Sequence, residues 1–102
     1  MKFEMMPAKE LDAWIDRQDT FLIDLRAPQE YVRGHLKGAV NIPYERLKTC
    51  CMFPKDRILI LYCDRGATSM AAARELADQG YRVRTVIGGI LSYRGRNMES
   101  FL

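Results

Sequence analysis

An uninterrupted apolar segment, Ile58-Leu59-Ile60-Leu61-Tyr62, is the feature that most constrains what this chain can fold into. Its apolar side chains do not alternate with polar ones, so both faces of the predicted strand must be covered, as in a parallel sheet. A short polar loop, Cys63 to Thr68, follows directly. Ser69 to Gln79 then has the spacing of an amphipathic helix that ends at Gly80. The segment predicts a strand, a loop and a helix in succession.

The rest of the chain alternates between short apolar segments and short helical ones. We predict further strands over Phe21 to Leu25, Gly38 to Ile42 and Arg82 to Ile87, and helices over Pro7 to Arg17, Gln29 to Arg33, Tyr44 to Lys48 and Ile90 to Arg94. This alternation predicts an α/β fold with a central, mostly parallel sheet of four to five short strands and helices on both faces. The 102 residues suffice for a single domain over 1–102. We expect residues 97–102 to form a loosely held tail.

Charge and cysteine content exclude several classes of protein. The net charge is only +3, and Lys and Arg are interspersed, which argues against a nucleic-acid partner. The longest apolar stretch is far too short for a membrane span. Of the three cysteines, Cys50 and Cys51 are adjacent, a poor disulfide framework that favours a reducing compartment and predicts a cytoplasmic protein. We expect a monomer or a weak homodimer.

Cys63 is the candidate reactive residue. Ligands of open parallel sheets bind beyond the carboxyl ends of the strands, and Cys63 lies at that end of the most buried strand. The following loop would turn backbone N–H groups inward, and the helix N-terminus adds about half a positive charge. Gly66 gives the turn its backbone freedom, while Thr68 and Ser69 could cap the helix and donate hydroxyls. We therefore expect Cys63 to be exposed to this polar cradle, largely thiolate near neutral pH, and nucleophilic.

Four motifs occur in a fixed order over nearly the whole chain. They are Leu22-Ile23-Asp24-Leu25-Arg26; Glu30-Tyr31 with Gly34 to Pro43; Tyr62 to Ser69; and Gly88-Gly89-Ile90-Leu91-Ser92-Tyr93. In this order and spacing they resemble the rhodanese (thiosulfate sulfurtransferase) domain, with Tyr93 where that family has Trp. The resemblance implies the rhodanese-like α/β fold and a sulfurtransferase activity.

The resemblance also implies a mechanism that requires neither metal nor any other cofactor. The Cys63 thiolate would attack the outer sulfur of a sulfane donor such as thiosulfate or a persulfide. A small thiol, cyanide or a protein acceptor would then remove the sulfur from the Cys63 persulfide. The persulfide-binding loop would consist of Asp64, Arg65, Gly66, Ala67, Thr68 and Ser69. Its N–H groups would stabilise the anions, and the Arg65 side chain would attract the donor.

Asp64 is the residue whose difference from the family pattern matters most for the implied sulfurtransferase activity. If its carboxylate faced the pocket, it would oppose Arg65 and repel dianionic thiosulfate; it could instead face solvent. Asp24 and Arg26 could frame the pocket, or form an ion pair that ties strand to loop, which we favour. We interpret Glu30 as a surface or loop-tying residue.

Other functions remain as alternatives. A non-turnover sulfur carrier or regulatory binding module would use the same fold, and a redox sensor would use Cys63 with Cys50 and Cys51. We interpret the latter two as incidental thiols, because a disulfide between adjacent cysteines is strained and nothing in the sequence shows that their loop reaches Cys63. A zinc site is disfavoured because adjacent cysteines lack the usual chelate spacing. His35 is interpreted as structural rather than as a base. A phosphatase is disfavoured because related phosphatases have Cys-x5-Arg, whereas Ser69 is the sixth residue after Cys63.

Overall fold

The apolar run Ile58–Tyr62 forms the central strand of a parallel sheet, and all of its residues are buried. This computed structural model describes residues 2–50 and 52–102, without the side chain of Cys50. The strands are β1 (Glu4–Pro7), β2 (Thr20–Asp24), β3 (His35–Leu36), β4 (Val40–Asn41), β5 (Ile58–Tyr62), β6 (Arg82–Ile87) and β7 (Met98–Glu99). Five of them form the parallel sheet in the order β1-β6-β5-β2-β4, and β3 pairs with β7 in antiparallel fashion.

Helices cover both faces of the sheet, as the alternation of apolar segments predicts. They are α1 (Pro28–Arg33), α2 (Tyr44–Cys50) and α3 (Ala67–Asp78), with two 3-10 helices at Ala8–Ala13 and Ile90–Ser92. Leu47 of α2 and Leu76 of α3 pack into the core on one face. Leu11 and Ile90 of the two 3-10 helices pack into the core on the other face. The predicted α/β class is confirmed.

The predicted helix over Pro7 to Arg17 is wrong in type and extent. Residues Glu4–Pro7 form an edge strand parallel to β6, and only Ala8–Ala13 is helical, as a 3-10 helix. Further along, the Thr20 hydroxyl donates to the carbonyl oxygens of Trp14 and Arg17, at 3.1 and 2.8 Å. Those bonds tie the turn after the 3-10 helix to the start of β2, and together with the pairing of Glu4–Pro7 they override the helical periodicity.

Residues 97–102, expected to be a loose tail, contact the rest of the domain. β7 pairs with β3, and the Phe101 N–H donates to the Val32 carbonyl at 2.9 Å. The Phe101 ring centroid lies 4.8 Å from that of His35 and 5.8 Å from that of Tyr31. These contacts are non-local, and no local pattern in the sequence indicates them.

The remaining boundaries differ from prediction by a few residues. The strand predicted over Gly38 to Ile42 is confined to β4, α2 runs two residues further than predicted, and α3 begins two residues sooner. The helix predicted over Ile90 to Arg94 is a single 3-10 turn. None of the helices in the described ranges has the length and apolar character needed to cross a membrane. Cys51 and the Cys50 side chain lie outside the described residues, so the interpretation of both as incidental thiols remains a prediction.

The turn after β6 gives a prediction about stability. Gly89 has φ +64° and ψ −163°, and a Cβ there would lie 2.6 Å from the Cys63 carbonyl oxygen and overlap the Asp64 carbonyl. Gly38 also has positive φ (+82°), but a Cβ there meets nothing within 4 Å. We expect Gly89→Ala to lower the free energy of unfolding by about 3 kcal/mol. Gly38→Ala, the control for backbone strain alone, should cost about 1 kcal/mol. Equal losses in urea titrations would contradict the steric argument.

Candidate active site

A cavity of about 540 Å³ opens at the carboxyl end of the parallel sheet. Asp24 of β2 is in register with Tyr62 of β5 and with Asn41 of β4, so these three strands end at the same level. The residues that follow them begin α1, α3 and α2, and the cavity lies among those three helix starts. Its wall consists of Leu25, Arg26, Ala27, Pro28, Glu30, Pro43, Tyr44, Glu45, Cys63, Asp64, Arg65, Ala67 and Thr68.

The Cys63 side chain lies between the core and this cavity. Only 7% of the residue is exposed, and it packs with the core on the face covered by α2 and α3. We expected a more polar setting, but the close packing of β5 against its neighbours extends one residue past its end. Cys63 nevertheless contributes to the cavity wall, and its sulfur accepts a hydrogen bond from the Gly66 N–H at 3.1 Å. Cys63 therefore packs against the core and also forms part of the cavity wall.

The loop after Cys63 turns sharply at Gly66. The φ of Gly66 is +109°, in the left-handed region, and α3 begins at the next residue. This conformation directs the Gly66 N–H back to the Cys63 sulfur. The first N–H groups of any α-helix have no acceptor within the helix, so those of residues 67–69 are also available at this end of α3. The predicted group of backbone donors therefore consists of the Gly66 N–H, which already contacts the sulfur, and the unpaired N–H groups at the start of the twelve-residue helix α3.

The predicted capping by Thr68 and Ser69 is wrong, because α3 starts earlier than the sequence pattern indicates. The residue before its first turn is Gly66, which has no side chain with which to cap the helix. Ser69 is fully buried, and its hydroxyl donates to the Gly66 carbonyl at 3.0 Å. Ser69 therefore stabilises the loop from the buried side through this hydrogen bond, and it does not contribute to the cavity wall. Thr68 and Ala67 do line the cavity.

The fourth motif supports this loop from behind. The N–H of Ile90 donates to the Cys63 carbonyl at 2.9 Å, and the N–H of Leu91 donates to the Asp64 carbonyl at 3.2 Å. Gly89 lets the two backbones approach closely. The sequence places this motif at the end of β6 but does not show that it packs on the Cys63 loop, since the two segments are about 25 residues apart in the chain.

Asp24 and Arg26 form the ion pair that we favoured. The Asp24 side chain is fully buried and accepts hydrogen bonds from Arg26 Nε at 3.1 Å and Nη2 at 2.8 Å. Arg26 Nη2 also donates to the Gly34 carbonyl, which ties the strand to the end of α1. Burial acts to lower the pKa of Arg26, but the bonds to Asp24 raise it above its usual value.

Arg26 also lines the cavity. It therefore forms the ion pair with Asp24 and is part of the pocket wall at the same time. Its Nη1 takes no part in the bonds to Asp24 and Gly34 and lies 4.0 Å from an oxygen of Asp64. The Asp64 side chain is about half exposed. Asp64 therefore faces the cavity beside Arg26 and is not turned away from it.

His35 is buried and lies outside the cavity wall. Its Nδ1 is 2.7 Å from the Tyr31 carbonyl oxygen, and its ring stacks on the Tyr31 ring with centroids 3.9 Å apart. The Tyr31 hydroxyl in turn donates to the Ala39 carbonyl. These contacts agree with a structural role for His35. In the described part of the chain, no three His, Cys, Asp or Glu side chains group closely enough to hold a metal ion.

Several wall residues were not predicted from the sequence to line the pocket. Pro43, Tyr44 and Glu45 follow β4, and Pro28 and Glu30 belong to α1. Glu30 also accepts a hydrogen bond from the Ala27 N–H at 3.4 Å, so it is both a loop-tying and a wall residue. The available signal was positional, because each of these residues lies just beyond the carboxyl end of a parallel strand.

Comparison with known proteins gives relatives over most of the chain. A sulfurtransferase from Allochromatium vinosum is 36% identical over 80 residues, which cover 76% of this chain and 75% of that protein. A tRNA sulfurtransferase from Desulfurococcus amylolyticus is 34% identical over 76 residues, 74% of this chain and 15% of the relative. A tRNA uridine(34) hydroxylase from Photorhabdus laumondii is 26% identical over 107 residues, 97% of this chain and 30% of the relative. The chain thus spans only a minor part of the last two proteins.

Solved structures have the same fold. A rhodanese-related protein from Thermoplasma volcanium superposes with a TM-score of 0.81 and 27% identity, over 89% of this chain and 90% of that one. The BH2092 protein from Bacillus halodurans also superposes with a TM-score of 0.81, with 28% identity over 99% of this chain and 79% of that one. The family model described as a rhodanese-like domain matches residues 7–96. The chain therefore belongs to the rhodanese-like domain family.

Proposed function

We propose that this domain is a sulfurtransferase that carries sulfane sulfur as a Cys63 persulfide. The observation that carries the proposal is the position of Cys63, which lines the cavity and whose sulfur accepts a hydrogen bond from the Gly66 N–H. A sulfur held this way is supported as an anion by a backbone donor and by the end of α3. The sulfurtransferases among the relatives support the same class of reaction.

In the first step, the Cys63 thiolate attacks the outer sulfur of the donor. With thiosulfate, a sulfur–sulfur bond forms to Cys63 while the donor's own sulfur–sulfur bond breaks, and the bonding electron pair leaves with sulfite. The negative charge moves from the Cys63 sulfur to the newly bound sulfur, further out in the cavity. The free N–H groups at the start of α3 are suited to stabilise that charge and the departing anion.

In the second step, an acceptor nucleophile attacks the outer sulfur of the persulfide. Cyanide would leave as thiocyanate and a thiolate would leave as a new persulfide, and Cys63 returns to the thiolate in both cases. The proposed partners are accordingly a small sulfane-sulfur donor and a thiol, cyanide or protein acceptor. Ser69 stands where a phosphatase would need an arginine, and its hydroxyl is used by the Gly66 carbonyl, so phosphate transfer is not favoured.

The persulfide itself gives the direct test. Incubation with thiosulfate or a small persulfide should increase the intact mass by one sulfur, about 32 Da, and cyanide should reverse the increase. The increase should be absent in Cys63→Ala. Ser69→Ala, which loosens the loop and keeps the nucleophile, should form the persulfide more slowly. No increase with any sulfane donor would refute the proposal.

The same experiment separates the alternative functions. A persulfide that forms but is not transferred to cyanide or thiols would indicate a sulfur carrier or binding module. Disulfides of Cys63 formed under peroxide, with no persulfide from any donor, would indicate a redox sensor.

Asp64 gives a second prediction, on thiosulfate. Its carboxylate faces the cavity 4.0 Å from Arg26 Nη1, so it repels a dianion and engages a guanidinium nitrogen that could bind one. We expect Asp64→Asn to raise kcat/KM for thiosulfate by about fivefold, because an exposed charge contributes up to about 1 kcal/mol. Asp56→Asn, a change of the same kind at a residue outside the cavity wall, should leave it unchanged. An unchanged rate for Asp64→Asn would show that the carboxylate does not act on the donor.

A further inference from the structure

The wall of the cavity is acidic, although the chain as a whole is basic. Glu30, Glu45 and Asp64 contribute carboxylates to it, and Arg26 and Arg65 contribute guanidinium groups. Arg26 is already neutralised by the buried Asp24 behind it. Arg65 is therefore the one uncompensated cation in the described wall, against three carboxylates.

The two glutamates line the cavity and are exposed, which places them on its solvent side. Glu45 makes no hydrogen bond or ion pair with any residue that the structure describes, and Glu30 accepts a single long bond from a backbone N–H. Lys48, the next basic residue on α2 after Arg46, has its ammonium group 4.9 Å from the Tyr44 ring centroid and is not part of the wall. Both carboxylates are therefore available to a ligand.

The inner part of the cavity has the opposite character. The Cys63 sulfur accepts a hydrogen bond from the Gly66 N–H, α3 begins at the next residue, and Arg26 lines the same cavity, so donors predominate in this part of it. A ligand that suits both parts has its reacting sulfur end inward, where the thiolate charge develops during the step, and a positive charge toward the exposed glutamates. Thiosulfate has no positive charge, so the outer carboxylates only repel it.

We propose that the sulfur donor of this site is a small alkyl persulfide bearing an ammonium group, which Glu30 and Glu45 bind while the outer sulfur meets Cys63. The inference rests on the proposed sulfurtransferase function and specifies its substrate class. Cysteine persulfide is the simplest member: its carboxylate can pair with Arg65 and its ammonium with the glutamates. A cavity of about 540 Å³ accommodates an amino-acid-sized donor.

The step balances without an added oxidant or reductant. The Cys63 thiolate attacks the outer sulfur of the protonated persulfide R–S–SH, forming a sulfur–sulfur bond as the R–S bond to that sulfur breaks. The products are the protonated Cys63 persulfide and the thiolate R–S⁻. The negative charge leaves on the thiolate R–S⁻, which takes up a proton from water after release.

The test compares two donors, one with the ammonium group and one in which that group is acetylated. Cysteine persulfide carries it, and N-acetylcysteine persulfide has a neutral amide in its place. The second-order rate constant for Cys63 persulfidation is measured for each donor by intact mass in rapid-quench samples. The proteins are the wild type, Glu30→Gln with Glu45→Gln, and Glu10→Gln, an exposed glutamate outside the cavity wall.

We expect the ratio of the two rate constants to fall about tenfold in the Glu30→Gln, Glu45→Gln double variant, since each exposed ion pair contributes up to about fivefold. The comparison between proteins cancels the different intrinsic reactivities of the donors. The ratio should be unchanged in Glu10→Gln and should shrink in the wild type at 1 M salt, where the screening length is about 3 Å.

Two results would overturn the inference, and they differ from failure of the proposed function. A ratio that is the same in the wild type and the double variant would show that the glutamates do not recognise the ammonium group. A ratio insensitive to salt would show that any preference is not electrostatic. If neither donor persulfidates Cys63, the sulfurtransferase proposal itself fails, and the substrate class falls with it.

Discussion

The geometry of the site depends on how the backbone turns after the central strand. β5 is buried along its whole length and brings Cys63 to the end of the sheet with its side chain against the core. Gly66 reverses the chain in a left-handed conformation that few other residues adopt. Its N–H then meets the Cys63 sulfur, while its carbonyl accepts the Ser69 hydroxyl and the Met70 N–H. The contact to the Cys63 sulfur and the start of α3 therefore both depend on the conformation of this one residue.

Two neighbouring segments keep this turn in place. The 3-10 turn after β6 donates its N–H groups to the carbonyls of Cys63 and Asp64, which orients the peptide units so that the opposite sides of the loop face the cavity. Arg26, held by the buried Asp24, forms the other side. Donors that are already in position do not have to move when negative charge develops at a sulfur atom. Sites of this kind stabilise charge for that reason.

The sequence predicted the parts of the fold that local pattern determines. β5 and β6 have the predicted bounds, because a run of apolar and β-branched residues bounded by polar ones specifies both ends. The segment around Ala8–Ala13 was predicted as a longer α-helix, since its periodicity does not reveal that Glu4–Pro7 pairs with β6 or that Thr20 takes the carbonyls of Trp14 and Arg17. The docking of residues 97–102 on β3 also rests on non-local pairs.

The same distinction applies to the site. Cys63, Arg65 and Thr68 could be placed at the cavity because one strand–loop–helix unit contains them. Glu45 and Tyr44 could not, since their position depends on β4 lying beside β2, a pairing of only two residues. The net charge of the chain, +3, does not describe the charges that line the cavity. Charges far from the cavity are screened, since the Debye length is about 10 Å at 0.1 M salt. In the cavity wall itself, carboxylates outnumber guanidinium groups.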